Sequence, residues 1–537
     1  MREVEVQYMK KYSLLIKDGR IVDGSGNAWF KADLGVKDGK IARIGRIDPS
    51  ESERVINAEG LTVSPGFMDP HNHSDWTIIP GKTAESYIRQ GVTTVTIGHC
   101  GFSLAPVSKE HFEDLKRYHE PFLLTELSWN WKSFGEFLDV LRETRASVNV
   151  IPLVGFGTVR IAVMGFEDRE PTEEEMTYME TLVDESMREG AFGLSTGLGY
   201  PPQSYAKTEE IIRLCRVVAR HGGIYATHIR GSPDGLKEAI EIGKRANVPV
   251  EIAHIGASRG GRKQFWGRQK EVTLEPIERA REEGVEITGD LYPYTAGSSY
   301  LAALIPPNLH EGGTDKLLER LKDEEIRSRL REKLKDLEWS KTLISYLPGK
   351  QNKRLEGKTI EEVAEMQEKS PVDVLCDLLI QERGGGTFIK FWGREEDVIT
   401  LMRHRTIMIS SDGWIHAASG VLHVGKPHPR SYGAFPRVLA RYVREKRVLD
   451  LEEAVRKMSS QPLSKFGVFD RGLIREGMYA DIVVFDPKTV RDTATYEDPH
   501  RYPEGILYVI VNGVTVIDEG EHTGATPGIV LKHRSRS

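Results

Sequence analysis

The chain has 537 residues, 39% of them hydrophobic and 29% charged, with a formal net charge of −6. That length asks for two or three domains. The nearly balanced charge excludes a dedicated nucleic-acid surface, which needs a basic excess. No run of 18 apolar residues is present to span a membrane.

The N-terminal stretch MREVEVQYMKKYSLLI lacks the basic region, apolar block and small-residue cleavage site of a signal peptide. Cys100, Cys215 and Cys376 are too few and too far apart for a disulfide framework, so a reducing cytoplasm is expected. Charge weighted to Glu, Lys and Arg, with few Asn and Gln, is a thermophile-like composition.

Residues 12–64 alternate apolar and polar positions between turn signals. Asp18-Gly19 and Asp38-Gly39 read as hairpin turns. The far end repeats the pattern in ADIVVFDP (480–487) and LYVIVNGVTVIDEG (507–520), with Asn512-Gly513 as another turn. Two short β segments at opposite ends must bury their apolar faces. The economical solution is one discontinuous β-sandwich built from 1–65 and 470–537.

Between them, strands and helices alternate. A buried run ends at His71, and others cover 93–98, 148–157, 191–197, 223–229, 248–255, 285–292, 387–392 and 406–412. Helices are expected from Thr172, which has Glu175 three residues on in a capping box, and over 451–458. Repeated βα units imply a parallel sheet, and this size points to a closed (β/α)8 TIM-like barrel over 66–299 and 366–469. Nine strand candidates are one too many; either 285–292 or 387–392 is the odd one. Residues 300–365, rich in charged helical sequence such as TDKLLERLKDEEIRSRLREKLKDL, read as an insertion near the barrel mouth.

Potential metal ligands gather at the C-terminal ends of these runs: His71 and His73 in PGFMDPHNHSD, Cys100, His228, His254 and Asp412. In a parallel barrel those ends converge on one face, where active sites form. Alone, the His-x-His pair could be a polar turn, Cys100 a small buried hydrophobe and Asp412 a helix cap. Five strands carrying ligands at the same end argue for a metal site. The mixture of imidazole, thiol and carboxylate suits Zn²⁺.

PGFMDPHNHSD, GHCGFSLAP, AFGLSTGLGYPP, YATHIR, SSDG and PHPRSYGAFPRVL together resemble the N-acyl-D-amino-acid deacylases (D-aminoacylases) of the amidohydrolase superfamily. The resemblance runs along the whole chain. It implies one tightly bound zinc on Cys100, His228 and His254, and a second, weaker site on His71 and His73 that shares Cys100. The implied reaction is hydrolysis of an N-acyl-D-amino acid to a carboxylate and a free D-amino acid. Water activated on zinc is the nucleophile, and Asp412 is the general acid/base.

An acyl amino acid carries a free carboxylate, which asks for a guanidinium. Arg430 matches that role by resemblance, with Tyr292 and Ser298 near the same carboxylate. Tyr200 is a candidate donor to the developing oxyanion. One departure stands out: the family commonly has a lysine two positions after the histidine matching His254, and here that position is Gly256. Arg259 or Lys263 are candidate replacements for the missing charge.

Two other readings compete. One is another amidohydrolase: a cyclic amidase of the dihydroorotase or hydantoinase type, or a related N-acyl amino acid or dipeptide hydrolase. Cyclic amidases usually carry a carboxylatable lysine, which AFGLSTG lacks. The other is a non-catalytic scaffold, against which the complete ligand set speaks. The expected partner is a small N-acyl amino acid, with neither nucleic acid nor membrane.

Overall fold

A computed structural model describes residues 10–231, 234–256 and 263–533. The N-terminal stretch read for a signal peptide lies mostly outside these residues, and Arg259 wholly so.

Eight parallel segments form the barrel. In chain order they are Phe67–Asp69, Val92–Ile97, Asn149–Pro152 continued by Val154–Gly155, Gly193–Gly197, Ile224–His228, Val250–Ile252, Ile287–Leu291 and Ile407–Ile409. The ring closes beyond the strand ends, where Asp412 N–H donates to His71 C=O (2.9 Å) and His73 N–H to Gly413 C=O (2.8 Å). The closure therefore joins two ligand-bearing segments directly. Most of these strands are buried along their length, because helices such as Glu173–Glu189 and Thr208–Arg220 cover the outer face. The first of those helices starts as its sequence requires, with Thr172 and Glu175 capping each other.

Of the two ambiguous runs, Ile287–Leu291 is the barrel strand. Thr387–Phe391 is not: it pairs antiparallel with Ala296–Tyr300 and with Thr342–Tyr346 in a separate three-stranded sheet. The excursion expected at 300–365 thus reaches back to Ala296 and on to Phe391. Helices Ile360–Gln367 and Pro371–Gln381 belong to it and not to the barrel wall. Its last strand was ambiguous because a buried apolar run carries no mark of its direction or partner.

The strands of the two chain ends join in one nine-stranded sheet. Its seam is Thr62–Pro65 against Ile482–Phe485. The sheet curls until its edge strand Lys40–Gly45 and the turn before it meet the segment leading into Ile482–Phe485, with Ile41 N–H donating to Met478 C=O and Ala480 N–H to Gly39 C=O, both 2.9 Å. Leu14, Ile16, Leu34, Val36, Ile482, Val484 and Ile510 fill the interior of the curl. Asp38-Gly39 and Asn512-Gly513 are hairpin turns as expected, with φ of 51° and 75°, and 50° and 80°. Asp18-Gly19 is not a turn. It lies inside the single strand Leu14–Ile21, where the register shifts between Ile16 and Gly19. Asp18 takes φ 60° there and its N–H donates to the Asp33 carboxylate (2.8 Å). A bulge and a turn both need that backbone conformation, so the dipeptide alone does not tell them apart.

The sheet is tied to the barrel through Asp481, which accepts from Arg471 (2.6 Å) and from Asn149 of the third barrel strand (3.1 Å).

Candidate metal centre and cleft

All six expected ligands meet at the C-terminal mouth of the barrel. Cys100 Sγ lies 3.5 Å from His71 Nε2, 3.8 Å from His254 Nε2 and 4.0 Å from His228 Nδ1. His71 Nε2 and His73 Nε2 are 3.3 Å apart. Asp412 Oδ1 stands 3.4 Å from the former and 3.3 Å from the latter. Two three-residue groups share the thiol: His71, His73 and Cys100, and Cys100, His228 and His254.

Donors bonded to one tetrahedral zinc at about 2.3 Å (S) and 2.0–2.1 Å (N) stand roughly 3.4–3.6 Å from one another. The spacings among His71, His73, Cys100 and Asp412 fall within about 0.1 Å of that range, and His254 and His228 stand slightly farther from Cys100, at 3.8 and 4.0 Å. Charge agrees. Burial pushes the Cys100 thiol up, but the neighbouring His71 and His73 more than reverse this and leave it lowered. Burial also raises Asp412, and the charges of Arg430 and His71 hold it well below the usual carboxylate range. Burial keeps His228 well below its ordinary value and brings His254 down to about 4. Neutral imidazoles at His228 and His254 suit zinc. Burial lowers His71 and His73, but the neighbouring Asp290, Asp412 and Cys100 more than reverse this and raise both, so these two rings carry the positive charge among the anions.

The local sequence explains how these side chains are aimed. Cys100 (φ 53°), His254 (φ 35°) and Asp412 (φ 53°) all hold left-handed backbone, which costs about 1–3 kcal/mol for a non-glycine residue and persists only where the surroundings enforce it. At Cys100 the enforcement is visible. Gly98 and Gly101 flank it at φ 80° and 76°, and a Cβ would meet Leu153 O at the first and Gln203 at the second. Gln203 donates to Cys100 C=O (3.0 Å) and accepts from Gly197 N–H (2.6 Å), while Ser195 Oγ accepts from Gly101 N–H (2.9 Å). Glycines in GHCG are thus needed for close packing around the turn.

A second layer of carboxylates was not anticipated. Asp69 accepts from Ser411 N–H and Asn72 Nδ2 (both 2.9 Å), tying the His-x-His turn to the segment that carries Asp412. Asp290 faces His71 Nδ1 (3.3 Å). Asp75 accepts from Gly98 N–H (2.8 Å), and burial pushes its carboxyl up to about 8.

The cluster forms the floor of a cleft of about 620 Å³ walled by Trp76, Phe102, Phe122, Tyr300, Trp392 and Trp414. The four expected substrate contacts, Tyr200, Tyr292, Ser298 and Arg430, all line it. Arg430 is not free: Nη1 donates to Asp412 Oδ2 at 2.7 Å, and its guanidinium carbon lies 4.7 Å from the centre of the Tyr292 ring. Tyr200 packs on His228 (ring centres 4.8 Å apart), with its hydroxyl 3.4 Å from Ser299 Oγ. A neighbouring chamber of about 430 Å³ shares Phe122, Ser298, Trp414 and Arg430 with the cleft.

Gly256 takes φ 81°, and a Cβ there would run into Leu401, so this backbone does not accommodate a lysine. Lys263 does not replace the charge. It is on the surface, 3.3 Å from Glu338. Among the described residues Arg430 is therefore the one Lys or Arg lining the cleft.

The amidohydrolase family model matches residues 54–517. The chain is 38% identical to a D-aminoacylase of Alcaligenes xylosoxydans xylosoxydans over 528 residues, covering 97% of each chain. It is 36% identical to an N-acyl-D-aspartate deacylase of the same organism, covering 96% of this chain and 94% of the relative. Among solved structures, the N-acyl-D-glutamate deacylase of Bordetella bronchiseptica, complexed with zinc and a phosphonate mimic of the tetrahedral intermediate, superposes with a TM-score of 0.81 at 30% identity. That match covers 97% of this chain and all of the other. The ligand cluster at the barrel mouth and near-full-length identity to these enzymes lead to one conclusion: the chain belongs to the amidohydrolase family, among the N-acyl-D-amino-acid deacylases.

Proposed function

We propose that the protein hydrolyses the amide bond of N-acyl-D-amino acids, releasing a carboxylate and a free D-amino acid. Zinc, when bound by Cys100, His228 and His254, supplies Lewis acidity and lowers the pKa of water from 15.7 toward about 7. His71 and His73, with the shared Cys100, form the weaker site. Everything else is done by side chains. The Asp412 carboxylate takes the proton of the attacking water and returns it to the departing nitrogen. Arg430, supported by the Tyr292 ring face, binds the substrate carboxylate, with Ser298 beside it; Tyr200 donates to the oxyanion. The aromatic walls exclude water from the reacting carbonyl.

The observation that carries this reading is the position of Asp412. One carboxylate oxygen faces His71 and His73, and the other faces Arg430, so the acid/base group lies between the metal ligands and the substrate anchor.

Among the described residues the cleft has aromatic walls and one cation, already assigned to the α-carboxylate, which supports a neutral, apolar substrate side chain; an acidic one would need a second cation. The test is a panel of N-acetyl amino acids in both configurations, assayed for free amine. N-acetyl forms of D-leucine, D-methionine and D-phenylalanine should be turned over, with their L-isomers and N-acetyl-D-aspartate at least tenfold slower. Preference for L-isomers would refute the assignment. We further place the protein in the cytoplasm, a reading supported by three buried cysteines that form no disulfide.

A further inference from the structure

Asp290 is placed to govern the metal ligands from behind. It sits near the end of the seventh barrel strand, Ile287–Leu291, and is completely buried. One oxygen, Oδ2, is 3.3 Å from His71 Nδ1. The other, Oδ1, accepts from His254 N–H (3.1 Å) and from the Ser410 hydroxyl, two residues before Asp412. Three ligand-bearing segments, from the first, sixth and eighth strands, thus converge on one side chain.

We infer that Asp290 is a positioning residue that selects the metal-binding tautomer of His71 and fixes its ring. The inference rests on the zinc reading above. His71 points Nε2 at Cys100, His73 and Asp412. Nε2 has a lone pair for a cation only in the neutral ring whose proton is on Nδ1, and an acceptor behind Nδ1 holds it there. Asp290 Oδ2 is that acceptor. Its own orientation is not negotiable, because the backbone N–H of His254 is a permanent donor and occupies Oδ1.

This makes Asp290→Asn an informative change. The amide oxygen must stay with His254 N–H, so the NH₂ group turns to His71 Nδ1. A donor there draws the lone pair to Nδ1 and places the ring proton on Nε2, toward the cation. Size and the bonds from His254 N–H and Ser410 are kept, and buried Glu251, which also hydrogen-bonds Asp290, keeps a polar partner.

The experiment measures zinc affinity by competition with a chelator, and the His71 tautomer by ¹⁵N NMR of the zinc-free protein at a pH high enough for its ring, raised by the surrounding carboxylates, to be neutral. Asp290→Asn should weaken zinc at the site of His71, His73 and Cys100 by about 10–100-fold, move the His71 ring proton to Nε2, and leave the melting temperature within a few degrees. In a His71→Ala background the same substitution should change zinc affinity by less than about threefold, because the group it acts through is gone. Unchanged affinity, an unchanged tautomer, or an equal loss in the His71→Ala background would each overturn the inference. If zinc affinity behaves as stated but N-acyl-D-amino acids are not substrates, the positioning role stands and the proposed reaction falls. If Asp290→Asn does not fold, Ser410→Ala, which releases Oδ1 from its hydroxyl, replaces it in the same cycle. Coupling to His71 is then expected, and strict additivity would overturn the inference.

Discussion

The barrel mouth and the excursion over it are both dense in charge, yet they use charge in opposite ways. At the mouth a few buried groups each serve several partners: Asp412 meets His71, His73 and Arg430, and Asp290 meets His71, His254 and Ser410. In the excursion, pairs such as Arg329–Glu325 and Lys335–Glu332 sit in solvent and serve only each other. Buried charge in low dielectric is strongly felt, whereas exposed pairs are screened and gain little. The same residue types therefore carry function in one place and solubility in the other.

Substitutions can break this contrast, and the largest effect should come from the shared ligand. Cys100→Ala removes the one atom common to both ligand groups, so zinc retention and activity should both fall to background, as measured by elemental analysis and free-amine release. Asp412→Asn should keep most of its zinc while kcat falls by about 10²–10⁴; near-normal kcat in a zinc-replete protein would remove it as the acid/base. Arg430→Lys keeps the charge but loses the planar fork. It should cost about 10–100-fold in kcat/KM, chiefly through KM, from the ~1.5–3 kcal/mol of a charge-assisted contact.

Asp75 sharpens the comparison through pH. Its folded carboxyl titrates near 8 and its unfolded one near the ordinary value of 3.8. Between those values the folded chain holds more protons than the unfolded chain, so this group makes stability fall as pH rises. Asp75→Asn keeps an acceptor for Gly98 N–H and cannot ionise. Its melting temperature relative to wild type should therefore rise from pH 5 to pH 9; a constant difference would contradict the buried acid. The smallest effect belongs to the excursion. Arg331→Ala, which frees Asp373 and Glu324, should shift stability by no more than about 1 kcal/mol and leave kcat unchanged.

The candidate ligands were legible as a group because each closes a run of apolar residues, and barrel geometry gathers such ends. The residues behind them were not. Asp290 serves His71 from 219 positions away, Asp69 serves Ser411 from 342, and Gln203 serves Cys100 from 103. A lone Asp or Gln on a strand or loop carries no sign of a distant partner. The parallel and antiparallel apolar runs looked alike for the same reason. Gly256 was legible as a departure, but its φ of 81°, which strains any other residue, and the Leu401 side chain beside it needed the fold.

The seam between Thr62–Pro65 and Ile482–Phe485 has a consequence for how the protein is made. About 420 residues separate the two strands, which at ~5–20 residues per second is roughly 20–80 s of synthesis. Through that interval the first strands of the nascent chain, with Leu14, Ile16, Leu34 and Val36 on their inner face, wait without their cover. They present an open sheet edge of the kind that draws other chains into aggregates. Recombinant yield should therefore respond to growth temperature and to chaperones that hold nascent chains more than to any change at the barrel mouth.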